Sequence, residues 1–158
     1  MSREYEDVRR EVAVANRVLS ELGLATGALM SLGHASMRMP SQQDRFVVKG
    51  RGYAIDALAA MQPEDMVMCD LEGYKVDGPI GTTPCGEVKM HSCIYKARPD
   101  VQGIVHVHPR FTVIMAILGV TLAPMCNEGN ELVREPLPVF PHSRLILSED
   151  DGREVAEC

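Results

Sequence analysis

Apolar residues recur along this chain with two different periods, and each period predicts an element. Val8, Val12, Ala15, Leu19 and Leu22 step alternately by four and three, the stripe of an amphipathic helix, and Gly23 follows as its stop. From Thr26 to Arg38 the pattern lapses into a polar, glycine-containing stretch that reads as a loop. His34 and Arg38 are carried in it, within Gly33-His-Ala-Ser-Met-Arg38. Residues 45–48 (Arg-Phe-Val-Val) predict a short strand ending in a basic glycine-rich turn, Lys49-Gly-Arg-Gly52. Met66 to Asp70 and Tyr74 to Val76 predict a hairpin with Gly73 at the turn. Gly78 to Gly86 holds two prolines and three glycines, so it reads as a loop.

A helical pattern then runs from Glu87 to Arg98, with Val88, His91, Ile94 and Tyr95 on one face, and Pro99-Asp100 closes it. Gly103-Ile-Val-His-Val-His-Pro-Arg110 predicts a strand that stops at Pro109, which has no N–H for a ladder. Phe111 to Leu118 reads as a helix ended by Gly119, and Leu145 to Leu147 as a strand. Ser148 before Glu149-Asp-Asp151 is a helix start by capping chemistry. That helix meets the last residue, Cys158, after about two turns, too short to persist without packing, which predicts a truncated chain. Strands interleaved with helices, with at least one hairpin, predict an α/β or α+β sandwich around a mixed or antiparallel sheet, residues 1–158 forming one domain.

Composition narrows the class. With 46% hydrophobic and 24% charged residues, 158 residues suffice for one globular core. A net charge of −6 predicts no nucleic acid and no anionic membrane as partner, and no apolar run approaches the length of a membrane span. Ten methionines and no tryptophan point to an adaptable aliphatic core. Five dispersed cysteines without a CxxC pair, and a polar, acidic N-terminus, predict a reduced protein of the cytoplasm.

The candidate chemistry centres on His106 and His108. Two residues apart on a strand, they project to one face with Cα atoms about 6.5–7 Å apart, a span from which two imidazoles converge on one cation. The same spacing also fits two histidines on a solvated face. Glu87, opening a helix after a glycine-rich loop, is the nearest carboxylate partner, and reads equally as a helix N-terminal charge. His91, one turn on, reads as a buried structural histidine, and His142 as a loop residue. His34 and Arg38 fit a cationic pocket in which the arginine forks onto a carboxylate, and fit a loop histidine and a surface arginine as well. Cys85 is blunted as a nucleophile by nearby Glu87. There is no P-loop and no GxGxxG, so no nucleotide cofactor is indicated.

Taken in order, Gly33-His-Ala-Ser-Met-Arg38, Lys49-Gly-Arg-Gly52, Pro63-Glu-Asp-Met-Val67, Asp70-Leu-Glu-Gly73, Glu87-Val-Lys-Met-His91, Tyr95-Lys-Ala-Arg-Pro-Asp100 and His106-Val-His-Pro109 resemble the class II aldolase/adducin family. The resemblance implies a three-layer α/β/α sandwich, a homotetramer, and a divalent metal held by three histidines at a subunit interface. His106 and His108 would be ligands and Glu87 the carboxylate that contacts the metal or moves protons. The third histidine would come from a later His-Gly strand that this sequence does not reach. Zn²⁺ is the default ion, with Mn²⁺, Fe²⁺ or Co²⁺ compatible.

Sugar-phosphate members hold phosphate with a Gly-Asn loop, a Thr/Ser-Gly turn and a Ser-Ser pair. Here those places hold Gly33-His34, Lys49-Gly50 and Cys85-Gly86. The substrate-binding set implied is therefore His34, Ser36, Arg38, Lys49, Gly50, Cys85 and Gly86, suited to a small-molecule carboxylate or a hydroxylated ring. The Gly-His-x-Ser-x-Arg loop is similar to that of hydroxyaromatic acid decarboxylases, such as those acting on dihydroxyphthalates. A metal-dependent decarboxylase is the reading this favours. The alternatives are an aldolase or epimerase acting on a sugar or sugar phosphate, and a non-catalytic adducin-like scaffold.

Overall fold

The computed structural model describes residues 2–27, 30–52 and 56–158. Helix α1 (Arg3–Glu21) begins where the Ser2 side chain accepts from the Tyr5 N–H and ends at Gly23, in left-handed conformation at φ 65°. Its stripe buries Tyr5, Val8, Val12, Ala13 and Leu19, while Leu22, expected on that stripe, is exposed. Asn16 is buried as well. Its amide donates to the Val12 carbonyl and its oxygen accepts from the Ala35 N–H at 3.1 Å, pinning α1 to the start of β1.

Strands β1 (His34–Met39), β2 (Gln42–Arg51), β3 (Met66–Asp70), β4 (Lys75–Asp77) and β6 (Gly103–His106) form one sheet in the order β4-β3-β2-β1-β6, and β5 (Thr83–Pro84) pairs with β2. The described pairs are antiparallel. Period-two alternation splits the side chains between two faces. Ala35, Met39, Val47, Met66 and Met68 pack under α1. Phe46, Val48, Val67 and Cys69 pack with Cys85 and Tyr95, the latter from α2 (Val88–Ala97). With a helix over each face the sheet is the middle of three layers, an α/β fold.

Three expectations are corrected. Residues 34–39 are strand, not loop: His34, Ser36 and Arg38 alternate with Ala35, Met37 and Met39, and both faces are covered, so the polar set reads as loop although it is buried. Lys49 to Arg51 continue β2 instead of turning, because Gly50 and Arg51 pair with Pro84 and Thr83. Residues 145–147 form no strand. Ile146 is buried there, and its N–H donates to the Glu87 carboxylate.

The hairpin at Gly73 (φ 80°) and the helices after Glu87 and Pro109 form as expected. The latter, α3 (Arg110–Leu118), exposes Phe111, Ile117 and Leu118. A short helix not foreseen, α4 (Asn127–Val133), follows. Helix α5 (Glu149–Glu157) is capped by Ser148, whose hydroxyl accepts from the Asp151 N–H. It lies on α2 at Gly152, where a Cβ would come within 2.6 Å of the Lys89 carbonyl oxygen. Glu149 bridges to Lys96 at 2.7 Å and to Lys89 at 3.2 Å across this contact.

Candidate active site

Antiparallel register places His34 opposite His106, and both point to the α2 face of the sheet. His106 is the last residue of β6. His108 lies past the strand, fixed by its N–H to the Leu24 carbonyl at 2.8 Å, and its ring centroid is 4.7 Å from that of His106. Glu87 stands at the N-cap of α2 but does not cap it. Its carboxylate instead meets the Ile146 N–H at 3.2 Å and lies 3.4 Å from His106 Nδ1.

Glu87, His106 and His108 share the wall of a cavity of about 420 Å³ with Arg144 and with the apolar side chains of Met90, Phe140, Leu145 and Ile146. The Arg144 guanidinium lies 5.5 Å over the Phe140 ring and is held by Asp151 and Glu154.

Behind this wall a file of hydrogen bonds enters the core. His106 Nδ1 lies 3.3 Å from His34 Nε2, and His34 Nδ1 lies 2.7 Å from His91 Nε2. His91 Nδ1 is 2.7 Å from Ser36 Oγ, which is 2.8 Å from the Tyr95 hydroxyl. Burial, reinforced by neighbouring imidazoles, holds His34 far below the ordinary histidine range and pushes His91 down to about 3. His106 is also lowered by burial, against the pull of Glu87. Burial raises the Tyr95 phenol to about 12.

Two groups of donors are close enough to hold one ion among the described residues: His34, Glu87 and His106, and the fully buried His34, Cys85 and His91. The imidazole and carboxylate donors of the first group suit a divalent transition ion. His108 stands beside His106 on the cavity wall and belongs to neither group. In the second group the two imidazoles already hydrogen-bond each other, and burial raises the Cys85 thiol to about 12, so it is held as a neutral thiol.

The residues implied for substrate binding do not share one surface. Arg38 is buried, with Nε donating to the Val101 carbonyl, Nη1 to Gln43, and Nη2 to Tyr95 and Arg98. It staples β1 to the end of α2 and cannot also fork onto a carboxylate, which corrects the expectation of an arginine clamp there. Ser36 is spent within the file, so it too lies behind the cavity. Lys49 is buried, its ammonium bound to Asp56 at 2.6 Å and to the Ser31 carbonyl. Gly50 is paired within the sheet, Cys85 is buried, and a Cβ at Gly86 would come within 3.0 Å of Arg51 Nη1.

The sequence reading missed Arg144, Phe140 and Met90 as cavity residues, and the link of His91 to His34. Met90 and His91 had a signal, being three and four residues after Glu87 on one helix. Arg144 and Phe140 had none, since they reach the site from a segment without periodicity.

The chain is 30% identical to a 3,4-dihydroxyphthalate decarboxylase from Arthrobacter keyseri, over 96% of this chain and 62% of that protein. It is 33% identical to a probable L-ribulose-5-phosphate 4-epimerase from Mycoplasma pneumoniae, over 70% of this chain and 42% of that protein. The crystal structure of L-fuculose-1-phosphate aldolase from Thermus thermophilus superposes with a TM-score of 0.69 at 25% identity, covering 99% of this chain and 70% of that one. The chain thus spans somewhat over half the length of the curated decarboxylase it resembles. No described helix is long and apolar enough to cross a membrane. The sequence profile of the Class II Aldolase and Adducin N-terminal domain matches residues 10–158, and on that match across nearly all its length the chain belongs to the class II aldolase and adducin family.

Proposed function

We propose that this protein is a divalent-metal-dependent carbon–carbon lyase of the cytoplasm that releases carbon dioxide from a hydroxylated aromatic carboxylic acid. The observation that carries the reading is the convergence of Glu87, His106 and His108 on a cavity whose remaining wall is largely apolar. A flat ring is held by such a wall through buried area, whereas a phosphoryl group needs several donors. The nearest counterparts of phosphate-binding positions, Lys49 and Cys85, are buried, and Lys49 is already paired.

His106 would hold the ion, with His108 and Glu87 or with His34 and Glu87 completing the donors. Zn²⁺ is the default, Mn²⁺, Fe²⁺ or Co²⁺ being compatible. These residues would hold an ion that would supply Lewis-acid stabilisation of the charge left on the ring when the carboxylate is lost. Glu87 has one oxygen engaged by the Ile146 N–H, so it moves protons through Oε2, returning one to the carbon that loses its carboxylate. Arg144, whose Nε and Nη2 are taken by Asp151 and Glu154, would reach the substrate carboxylate through Nη1 and so take the orienting part that Arg38 cannot fill. Met90 and Phe140 exclude water from the ring face. A homo-oligomer, a tetramer by family resemblance, belongs to the same proposal.

The test is to assay the purified protein with each ion against dihydroxyphthalates, hydroxybenzoates and sugar phosphates. Carbon dioxide release from a hydroxylated acid is expected, and it should be lost in Glu87→Gln even when that variant is assayed with the ion in saturating excess. Cleavage or epimerisation of a sugar phosphate without carbon dioxide would favour the aldolase or epimerase reading. An ion-loaded protein that turns over none of them would favour the scaffold.

A further inference from the structure

Five side chains from three elements make one continuous file: His106 from β6, His34 and Ser36 from β1, His91 and Tyr95 from α2. Its members other than His106 are all at most 4% exposed. Three imidazoles in a row allow two self-consistent arrangements of hydrogens. In one, each donates inward from Nδ1: His106 to His34, His34 to His91, His91 to Ser36, and Ser36 onward to Tyr95. In the other every hydrogen is reversed, Tyr95 donating to Ser36 and so on outward, until His34 Nε2 donates to a bare His106 Nδ1.

The two arrangements differ at the outer end. Glu87 Oε2 lies 3.4 Å from the same Nδ1 of His106. Inward donation sets an N–H before that carboxylate, whereas the reverse sets a lone pair against it. At the inner end the reverse arrangement saturates both hydroxyls, while inward donation leaves one hydroxyl hydrogen over. At 3.4 Å the contact is electrostatic and not a hydrogen bond, and the anion attracts an N–H dipole and repels a lone pair, so the carboxylate decides the direction.

We propose that His34 and His91 are positioning residues whose inward-donating file, biased by Glu87, holds His106 as the Nδ1–H tautomer and so presents a bare Nε2 to the cavity. The arrangement is built into the fold before any ligand arrives. An imidazole that must bind an ion through one nitrogen is oriented by the hydrogen bond its other nitrogen makes. The inference rests on the reading of His106 as a metal ligand. It also chooses between the two donor sets, since an ion held through His106 Nε2 leaves the His106–His34 hydrogen bond intact. An ion seated between His34 and His106 would break that bond.

Long-range proton–nitrogen correlation NMR on histidine-labelled, metal-free protein at neutral pH reads each tautomer directly. Nδ1–H on His34, His91 and His106 is expected, and added Zn²⁺ should shift the Nε2 of His106. Nε2–H on any of the three, or a coordination shift larger at His106 Nδ1 or His34 Nε2 than at His106 Nε2, overturns the proposal. The inward pattern with no zinc response at His106 would uphold the file and overturn the metal reading alone. In a second measurement, His34→Leu should weaken Zn²⁺ binding by about 10–100-fold, and His34→Gln, whose oxygen can still accept from His106, should restore most of it. Equal affinity in His34→Leu and the parent protein also overturns the proposal.

Discussion

The two faces of the sheet are built from the same strands and differ in what they bury. Under α1 lie Ala35, Met39, Val47, Leu58 and Met66, with Asn16 as the polar group that ties helix to strand. Under α2 lie Phe46, Val48 and Val67, but also His34, Ser36, Arg38 and His91, all nearly inaccessible. A buried polar group stabilises nothing by itself and costs heavily if left without a partner. Each of these has one, and the partners sort them into two kinds. Arg38 spends its donors on carbonyls and holds the chain together. The histidine file leads outward to Glu87 and the cavity. The first face is a place of packing, and the second combines packing with a site.

The sharpest way to test that division is His106→Ala, which should abolish tight divalent-ion binding, a loss of about a hundredfold or more, with the fold retained. Calorimetric titration with Zn²⁺ checks it, and unchanged affinity would remove His106 from the site. Arg38→Lys should instead reduce stability by about 3–5 kcal/mol, because an ammonium cannot reach four carbonyls spread over three segments. Urea unfolding measures this, and the ion affinity of the folded variant should match the parent. Were Arg38→Lys to stay fully stable yet lose affinity for a carboxylate, Arg38 would belong to the site after all.

On the other face, Leu58→Ala should cost about 3 kcal/mol through an internal cavity, with ion binding untouched. The smallest effect per residue is in pH. His91 is pushed down to about 3 in the folded chain, and His34 is held well below its ordinary value of 6.5. The unfolded chain therefore takes up protons that the folded chain refuses, so metal-free stability is full above about pH 6.5 and falls below it. Between pH 6.5 and 5 the decline should be about 1.6 kcal/mol per imidazole, before most carboxylates titrate. A flat profile over that window would mean that the imidazoles are solvated and the file is absent.

Much of this molecule is written in local pattern. The four-three stripe of α1, the hairpin at Gly73, the stop at Gly119 and the Ser148 cap depend on neighbours a few residues away, and they form as the sequence predicts. The family is legible too, because Glu87, His91, His106 and His108 keep a recognisable spacing. Tertiary structure decided what those residues touch. The alternation in His34-Ala-Ser-Met-Arg-Met39 looks like a loop until a helix is known to cover each face, and only then are its polar members seen to be buried. Arg38 looks like a free cation until four carbonyls from distant segments close on it. Arg144 enters the cavity from a stretch with no periodic signal. Helices and turns are set by interactions within a turn of the chain, whereas the partners of a buried polar group come from wherever the fold brings them, and that information is not local.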